Sequence, residues 1–391
     1  PTGFEITHKG VYVSQGSNLI LLEDTDNDDK ADKRTVILSG FDDHDTHHAI
    51  SSFSQDPFGN ILMSEGTFLH SNVETAYGVQ RSSNGGFWRF NPNTQKLDRL
   101  ARISIPNPWG ITFNAWGQGL FLDTSDPNAR WLTPASIKVP YGYFAPLPTN
   151  LVEKNQRVRP TSGLEFVSSR HFPNNMQGDY LLNNVIGFRG TKQHSLEDDS
   201  VGFTSKHRQD LVSSDDTNYR PVDLEFSPDG SLFIVDWHNV LVGHMQHSAR
   251  DPLRDHKHGR IYRVTHKSLP LVTPAKIDGA TIAQLLENLQ LPEYRARYHT
   301  RTELRKFDST KVNSALMSWL KKLKTNDSKY DNYLLEALLV TFSSDNPSLK
   351  IHNLAINSNN FNLRSIAVRA LAQTPLAFNK RQEILNKAAK D

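Results

Sequence analysis

The stretch PVDLEFSPDGSLFIVD, residues 221–236, decides the fold. Leu224 and Phe226 alternate with Asp223 and Glu225, the pattern of a strand buried on one face. Ser227-Pro228-Asp229-Gly230 then forms a tight turn, in which Pro sets φ and Gly supplies the backbone angles that close a hairpin. A second apolar strand, Leu232 to Val235, follows. The turn glycine and its strand recur along the chain. The copies are Gly10 with VYVSQ, Gly59 with NILMSE, Gly117 with QGLFLD, Gly178 with DYLLNN and Gly230 with SLFIVD. They stand about 49, 58, 61 and 52 residues apart, a spacing suited to the four-stranded blades of a β-propeller. No amphipathic helix separates these strands before residue 267, which excludes a parallel α/β fold.

Five copies predict five blades. The chain starts at Pro1 and its first residues already read as β structure, so a fragment or a processed chain is expected, with one blade upstream. Residues 1–266 are read as propeller and residues 267–391 as an α-helical domain. In the latter, Ile282, Leu285, Leu286 and Leu289 fall at helical spacing. So do Leu316, Trp319, Leu320 and Leu323, then Leu334, Leu335, Leu338 and Leu339, then Ile366, Ala367, Ala370 and Leu371. Polar breaks at Asn326-Asp327, Ser344–Pro347 and Thr374-Pro375 suggest either a HEAT-like helical repeat or a plain helical bundle.

Composition narrows the chemistry. The 391 residues carry 44 basic and 42 acidic side chains, a net charge of +2 that does not point to nucleic acid. No apolar run approaches the length of a transmembrane helix. Cysteine is absent, which excludes disulfides, thiolate zinc sites, cysteine nucleophiles and covalent haem attachment within this chain.

Four groups of residues can carry function. In DTDNDDKAD, Asp24, Asp26, Asp28 and Asp32 occupy positions 1, 3, 5 and 9 of a calcium loop, with Asp29 where Gly is usual and Thr35 where Glu is usual. The alternative is an acidic surface turn. In Asp42-Asp43-His44-Asp45-Thr46-His47-His48, imidazoles beside carboxylates suit a general base or a transition-metal site, just before a strand expected at Ala49–Phe53. Strand alternation would send some of these histidines away from any site. A third cluster holds Asp236, Trp237, His238, His244, His247, Arg250, Arg254, Asp255, His256, His258, Arg260 and Arg263. It is either an anion clamp or a basic loop that closes the ring. Fourth, Asn107-Pro108-Trp109-Gly110 and Arg220-Pro221-Val222-Asp223 open blades, and Trp109, Trp116, Trp131 and Trp237 are candidate sugar platforms or packing residues.

These motifs, with PTGFEI, HDTHHAI, NPWGITF, SGLEFVSSRHFP, NNVIGFR, VDWHN, GHMQHSARDP and HGRIYRV, resemble the propeller of the membrane-bound dehydrogenase and PVC-type haem-binding proteins of planctomycetes, their relatives and Bacteroidetes. That group is related to the sorbosone and soluble glucose dehydrogenase propellers, which use the quinone PQQ. The resemblance implies a six-bladed propeller followed by helical repeats. It implies His48 as general base, with His47 and Asp45 as its orienting neighbours, and Arg260, Arg263, Trp237 and His258 near the cofactor. His47 stands where those relatives carry Asp, and Pro106 where they carry a catalytic arginine. The implied activity is an extracytoplasmic sugar or alcohol dehydrogenase, periplasmic or at the cell surface and anchored to the envelope through parts outside this chain. It passes electrons to a c-type cytochrome domain or partner. Its implied cofactor is PQQ, with the haem outside this chain, beside the calcium expected from the loop at Asp24–Asp32. The altered residues favour a second reading, a non-catalytic glycan- or protein-binding scaffold in a cell-envelope complex. A third is a metal-dependent hydrolase or lyase built on the histidine cluster.

Overall fold

The computed structural model describes residues 2–133, 138–241, 251–373 and 376–390. Two compact units emerge. One is Pro1–Ser54, Ile61–Asn114 and Gln118–Thr273, and the other is Gln55–Asn60, Ala115–Gly117 and Pro274–Asp391.

The first unit is a β-propeller with five blades among the described residues. Blade 1 contains Phe4–Thr7, Gly10–Gln15, Asn18–Glu23 and Lys33–Ser39. Blade 2 contains Ser51–Gln55, Ile61–Glu65, Gly86–Asn91 and Lys96–Ala101. Blade 3 has three strands, Pro108–Phe113, Gly119–Asp123 and Arg130–Trp131. Blade 4 contains Thr161–Phe166, Tyr180–Val185, Arg189–His194 and His207–Ser213. Blade 5 has Pro221–Phe226, Leu232–Asp236 and Arg260–Val264. Within each blade the strands lie in chain order. Small hairpins interrupt two of them, His70–Val73 with Gln80–Ser83 in blade 2 and Glu197–Asp199 with Gly202–Thr204 in blade 4.

Period-2 alternation explains the stacking. Leu182 packs towards blade 3 with Leu120, Leu122 and Leu164, while its neighbour Leu181 packs towards blade 5 with Leu224, Phe226 and Ile234. Blades 1 and 2 share Tyr12, Leu19, Ile61, Met63 and Trp88. Hydroxyl groups join the first strands. Ser52 Oγ donates to the Pro108 carbonyl at 3.5 Å and Ser162 Oγ to the Pro221 carbonyl at 2.7 Å. Second strands end at Glu65, Asp123, Val185 and Asp236, beside the point where a blade begins. This is the blade-entry face.

The five repeat glycines all lead into second strands, and their φ angles run from +72° to +127°. That is the left-handed region where Gly alone is unstrained. The second unit holds seven helices among the described residues: Ile282–Asn288, Tyr294–Leu304, Ser309–Lys322, Tyr330–Phe342, Leu349–Ile356, Phe361–Ala370 and Phe378–Ala388. The residues at helical spacing fill its core, with Leu285, Leu316, Leu338 and Ile366 at most 2% exposed. No described helix is long and apolar enough to cross a membrane.

Two of the turn glycines separate backbone strain from crowding. A Cβ at Gly178 meets nothing within 4 Å, whereas one at Gly230 meets Ser169 Oγ at 2.6 Å and Val272 at 2.8 Å. Gly178→Ala is expected to cost about 1–2 kcal/mol and Gly230→Ala about 1–3 kcal/mol more, measured by urea unfolding. Equal losses would refute the crowding argument.

Candidate functional site

The segment before blade 2 folds as a turn, and its strand begins only at Ser51. The His48 N–H donates to the Asp45 carbonyl at 2.9 Å. That closure brings two consecutive imidazoles to one carboxylate, which a strand would have prevented. His47 Nδ1 lies 2.5 Å from Asp45 Oδ1, and His48 Nδ1 lies 3.2 Å from Asp45 Oδ2. The ring centroids are 4.0 Å apart.

The two histidines differ in access. His48 is 3% exposed, while His47 faces solvent. His48 Nε2 is 2.8 Å from Asn107 Oδ1, and Asn107 Nδ2 donates to Ser125 Oγ at 2.5 Å. With the amide held in that sense, Nε2 of His48 carries the proton and Nδ1 a lone pair. That buried Nδ1 has no aligned hydrogen bond, so its approach to Asp45 is a contact only. In His47 the carboxylate meets Nδ1, which makes Nε2 the basic atom. The geometry therefore reverses the roles expected of this pair. His47 is the reachable imidazole and His48 the buried support.

A polar chain lies behind the turn. Asp42 accepts the N–H groups of His44 and His70 at 2.9 and 2.7 Å. Its own N–H donates to Ser71 Oγ at 2.8 Å. Ser71 Oγ donates to Glu65 Oε2 at 2.5 Å, and Trp88 Nε1 donates to the same oxygen at 3.0 Å. Glu65 is fully buried and its Oε1 has no partner. Burial pushes this carboxyl up to about 7, against the hydrogen bonds from Ser71 and Trp88. Asp123 is also pushed up by burial, to about 6, although it accepts the N–H groups of Asn107 and Ser125.

The third cluster divides. Asp236 accepts the N–H groups of Arg220 and His238 at 2.7 and 2.8 Å and the Arg260 Nε at 2.6 Å. Arg260 also donates to Asp216 at 2.9 Å. Arg263 is three residues further along the same strand, held by Asp229 and by Ser231 Oγ in the turn at the opposite end of the blade. His258 is exposed and pairs with Asp255 at 2.8 Å. Trp237 lies 5.6 Å under Arg254. His244, His247 and Arg250 lie outside the described residues. A tricarboxylate such as PQQ requires cations that carboxylates have not already neutralised. Arg260 sits between two carboxylates, and Arg263 is ion-paired on the other face. These residues do not fit that cofactor as a pair of clamps.

In the hairpin between blade 1 strands three and four, ligand atoms of Asp24, Asp26 and Asp28 lie within 4.8 Å of one another. The Asp24 carboxylate accepts the N–H groups of Asn27, Asp28 and Asp29 at 2.7, 3.3 and 2.9 Å. Asp29 adopts φ +66°, the conformation for which calcium loops use Gly at this position. Asp32 does not join the three. It accepts from the Thr25 N–H and hydroxyl at 3.2 and 2.7 Å. Of the tryptophans, Trp109 donates to the Val222 carbonyl at 3.0 Å and Trp131 packs edge-on against Phe203.

Sequence reasoning missed Glu65, Asp123 and Ser125, and named Asn107 only as a blade opener. A signal was present. NILMSE, QGLFLD and SLFIVD all end in an acid at the same point of the repeat.

The family model for the domain of unknown function DUF7133 matches residues 1–268, about two thirds of the chain, and the chain belongs to that family. No curated protein matches it significantly. Among solved structures, it is similar to a luciferin-regenerating enzyme (TM-score 0.45, 12% identity, covering 68% of this chain and 77% of that one). It is also similar to a glucose dehydrogenase (TM-score 0.41, 15% identity, 66% and 77%). A third is virginiamycin B lyase from Staphylococcus aureus (TM-score 0.37, 14% identity, 68% and 85%).

Glu65 gives the site a pH signature. Its carboxyl keeps its proton when folded at pH values where the unfolded chain has lost it. Its contribution to stability is therefore full below about pH 4.5 and lost as pH rises through about 7. Glu65→Gln removes that part of the pH slope. Relative to wild type it is expected to gain about 3 kcal/mol between pH 4 and pH 8. Parallel pH–stability curves from denaturant unfolding would contradict the assignment.

Proposed function

We propose that this DUF7133 member is an extracytoplasmic oxidoreductase acting on a hydroxyl-bearing small molecule, a sugar or polyol, at the blade-entry face. The observation that carries the reading is the contact of Asp45 with His47 Nδ1 at 2.5 Å, backed by the buried, Asn107-pinned His48. A carboxylate on Nδ1 fixes the tautomer and raises the basicity of Nε2. His47 Nε2 takes the hydroxyl proton of the substrate. The hydride on the same carbon leaves for a two-electron acceptor outside this chain, and electrons pass on to a separate haem protein. Asp45 and Asn107 are positioning residues. Asp45 holds the tautomer, and Asn107 holds His48 against the carboxylate.

The blade 1 hairpin supports the location. Its three convergent carboxylates fit calcium, but Thr35 replaces the bidentate Glu of a tight loop, so affinity falls in the range that only millimolar calcium fills. A second reading, a glycan-binding propeller, draws on a cleft of about 290 Å³ lined by His70, Arg81 and the exposed ring of Tyr141.

Turnover of aldoses and polyols with dye acceptors, with and without added quinone, tests the enzyme reading. His47→Ala is expected to lower kcat by roughly 10²–10⁴-fold. Asp45→Asn should lower kcat with KM nearly unchanged. Binding without turnover selects the glycan reading, and full activity in His47→Ala removes the base. For the hairpin, millimolar calcium is expected to raise Tm in wild type and not in Asp26→Asn. An equal rise in both refutes the calcium loop.

A further inference from the structure

We propose that Asp45, His47 and His48 form a binding site for a borderline divalent transition ion, of which zinc is the best fit. One ligand atom from each residue lies within 4.8 Å of the others. The two imidazole nitrogens already stand 2.5 and 3.2 Å from the two oxygens of one carboxylate. An ion about 2.0–2.2 Å from each donor needs only a small opening of that triangle.

Three further observations point to a ligand rather than to a surface cluster. First, His48 is almost fully buried and its Nδ1 has no hydrogen-bond partner, although it faces the Asp45 carboxylate. Buried polar atoms are ordinarily satisfied, and a metal would satisfy this one. Second, the far nitrogen of the same ring is pinned to Asn107, and Asn107 to Ser125. This is the outer-shell arrangement that fixes the tautomer and aim of metal-binding histidines. Third, the turn closed from His48 N–H to the Asp45 carbonyl preforms the set.

The donor set also selects the ion. Two imidazoles and one carboxylate favour zinc or iron(II) over calcium and magnesium, which prefer oxygen alone. The all-carboxylate hairpin at Asp24–Asp28 has the opposite donor set, oxygen alone, which suits the harder cation of the proposed calcium loop instead. Three protein donors with His47 on the solvent side leave a fourth position open, as in catalytic rather than structural zinc sites.

Ion binding does not rest on the proposed dehydrogenase activity, but the two meet at Asp45. A metal on His47 Nδ1 replaces the proton shared with Asp45 Oδ1. Bound metal and the proton-transfer pair are mutually exclusive, so the ion acts as a switch on the proposed base.

The test uses the full chain, stripped with a chelator and held in millimolar calcium. Zinc is titrated calorimetrically, and cobalt(II) is followed by its visible absorption. One zinc per chain is expected, with a tetrahedral cobalt spectrum that is lost in His47→Ala. His48→Gln should weaken binding at least 100-fold and Asn107→Ala roughly 10–100-fold, with folding checked by circular dichroism. No stoichiometric zinc, or wild-type affinity in both His48→Gln and Asp45→Asn, overturns the site and leaves the base reading standing. Where zinc binds and suppresses turnover in step with occupancy, the switch is supported. Where zinc binds and raises turnover, the metal site stands and His47 as general base falls.

Discussion

The carboxylate of Asp123 holds the candidate site together. It ends the second strand of blade 3, almost wholly buried, and accepts the backbone N–H groups of both Asn107 and Ser125. Those two residues carry the side chains that fix His48. Asn107 precedes Pro108, which has no N–H of its own and whose carbonyl accepts from Ser52 in blade 2. One buried acid thus ties the start of a strand, the adjoining blade and an imidazole of the preceding segment into one network. Asp236 repeats the device in blade 5, where it accepts the N–H of Arg220, before Pro221, and that of His238. In blade 5 the acid also binds Arg260, and the result is an ion-pair cluster.

Much of the fold was legible in local chemistry. The five turn glycines are visible because a left-handed backbone angle leaves few alternatives to Gly, and they sit where the period placed them. The helical core was legible for the same kind of reason, since Leu285, Leu316 and Leu338 had to face inward at a period of 3.6. The described residues form five blades, as the five turn glycines predict.

The site was legible in its residues and not in its roles. His47 and His48 stood out by composition, but alternation along a strand was the wrong rule for a segment that closes a turn at Asp45. Burial then decided which imidazole a substrate can reach, and burial comes from packing between blades. Arg260 and Arg263 looked interchangeable three residues apart. A strand rising about 3.3 Å per residue carries them about 10 Å from one another, to acids at opposite ends of the blade. Asp32 matched a ligand spacing, but Thr25 competes for its carboxylate.

Asp45 is where the readings of this face converge. A carboxylate has two oxygens, and here each faces a different imidazole. With protons on His47 Nδ1 and His48 Nε2, the arrangement is asymmetric, one imidazole donating to the acid and the other offering it a lone pair. Two electron-rich groups in contact, the Asp45 Oδ2 and the His48 Nδ1, repel unless something positive lies between them. A metal ion held by both meets that requirement, whereas the proton that orients His47 as a base lies at the other oxygen, and each assigns a different chemistry to the same three residues. The frame held by Asn107, Ser125 and Asp123 is common to both, because it acts on the far side of the His48 ring. The blade network therefore fixes where the chemistry happens, and the occupant of a gap a few ångströms wide fixes which chemistry it is.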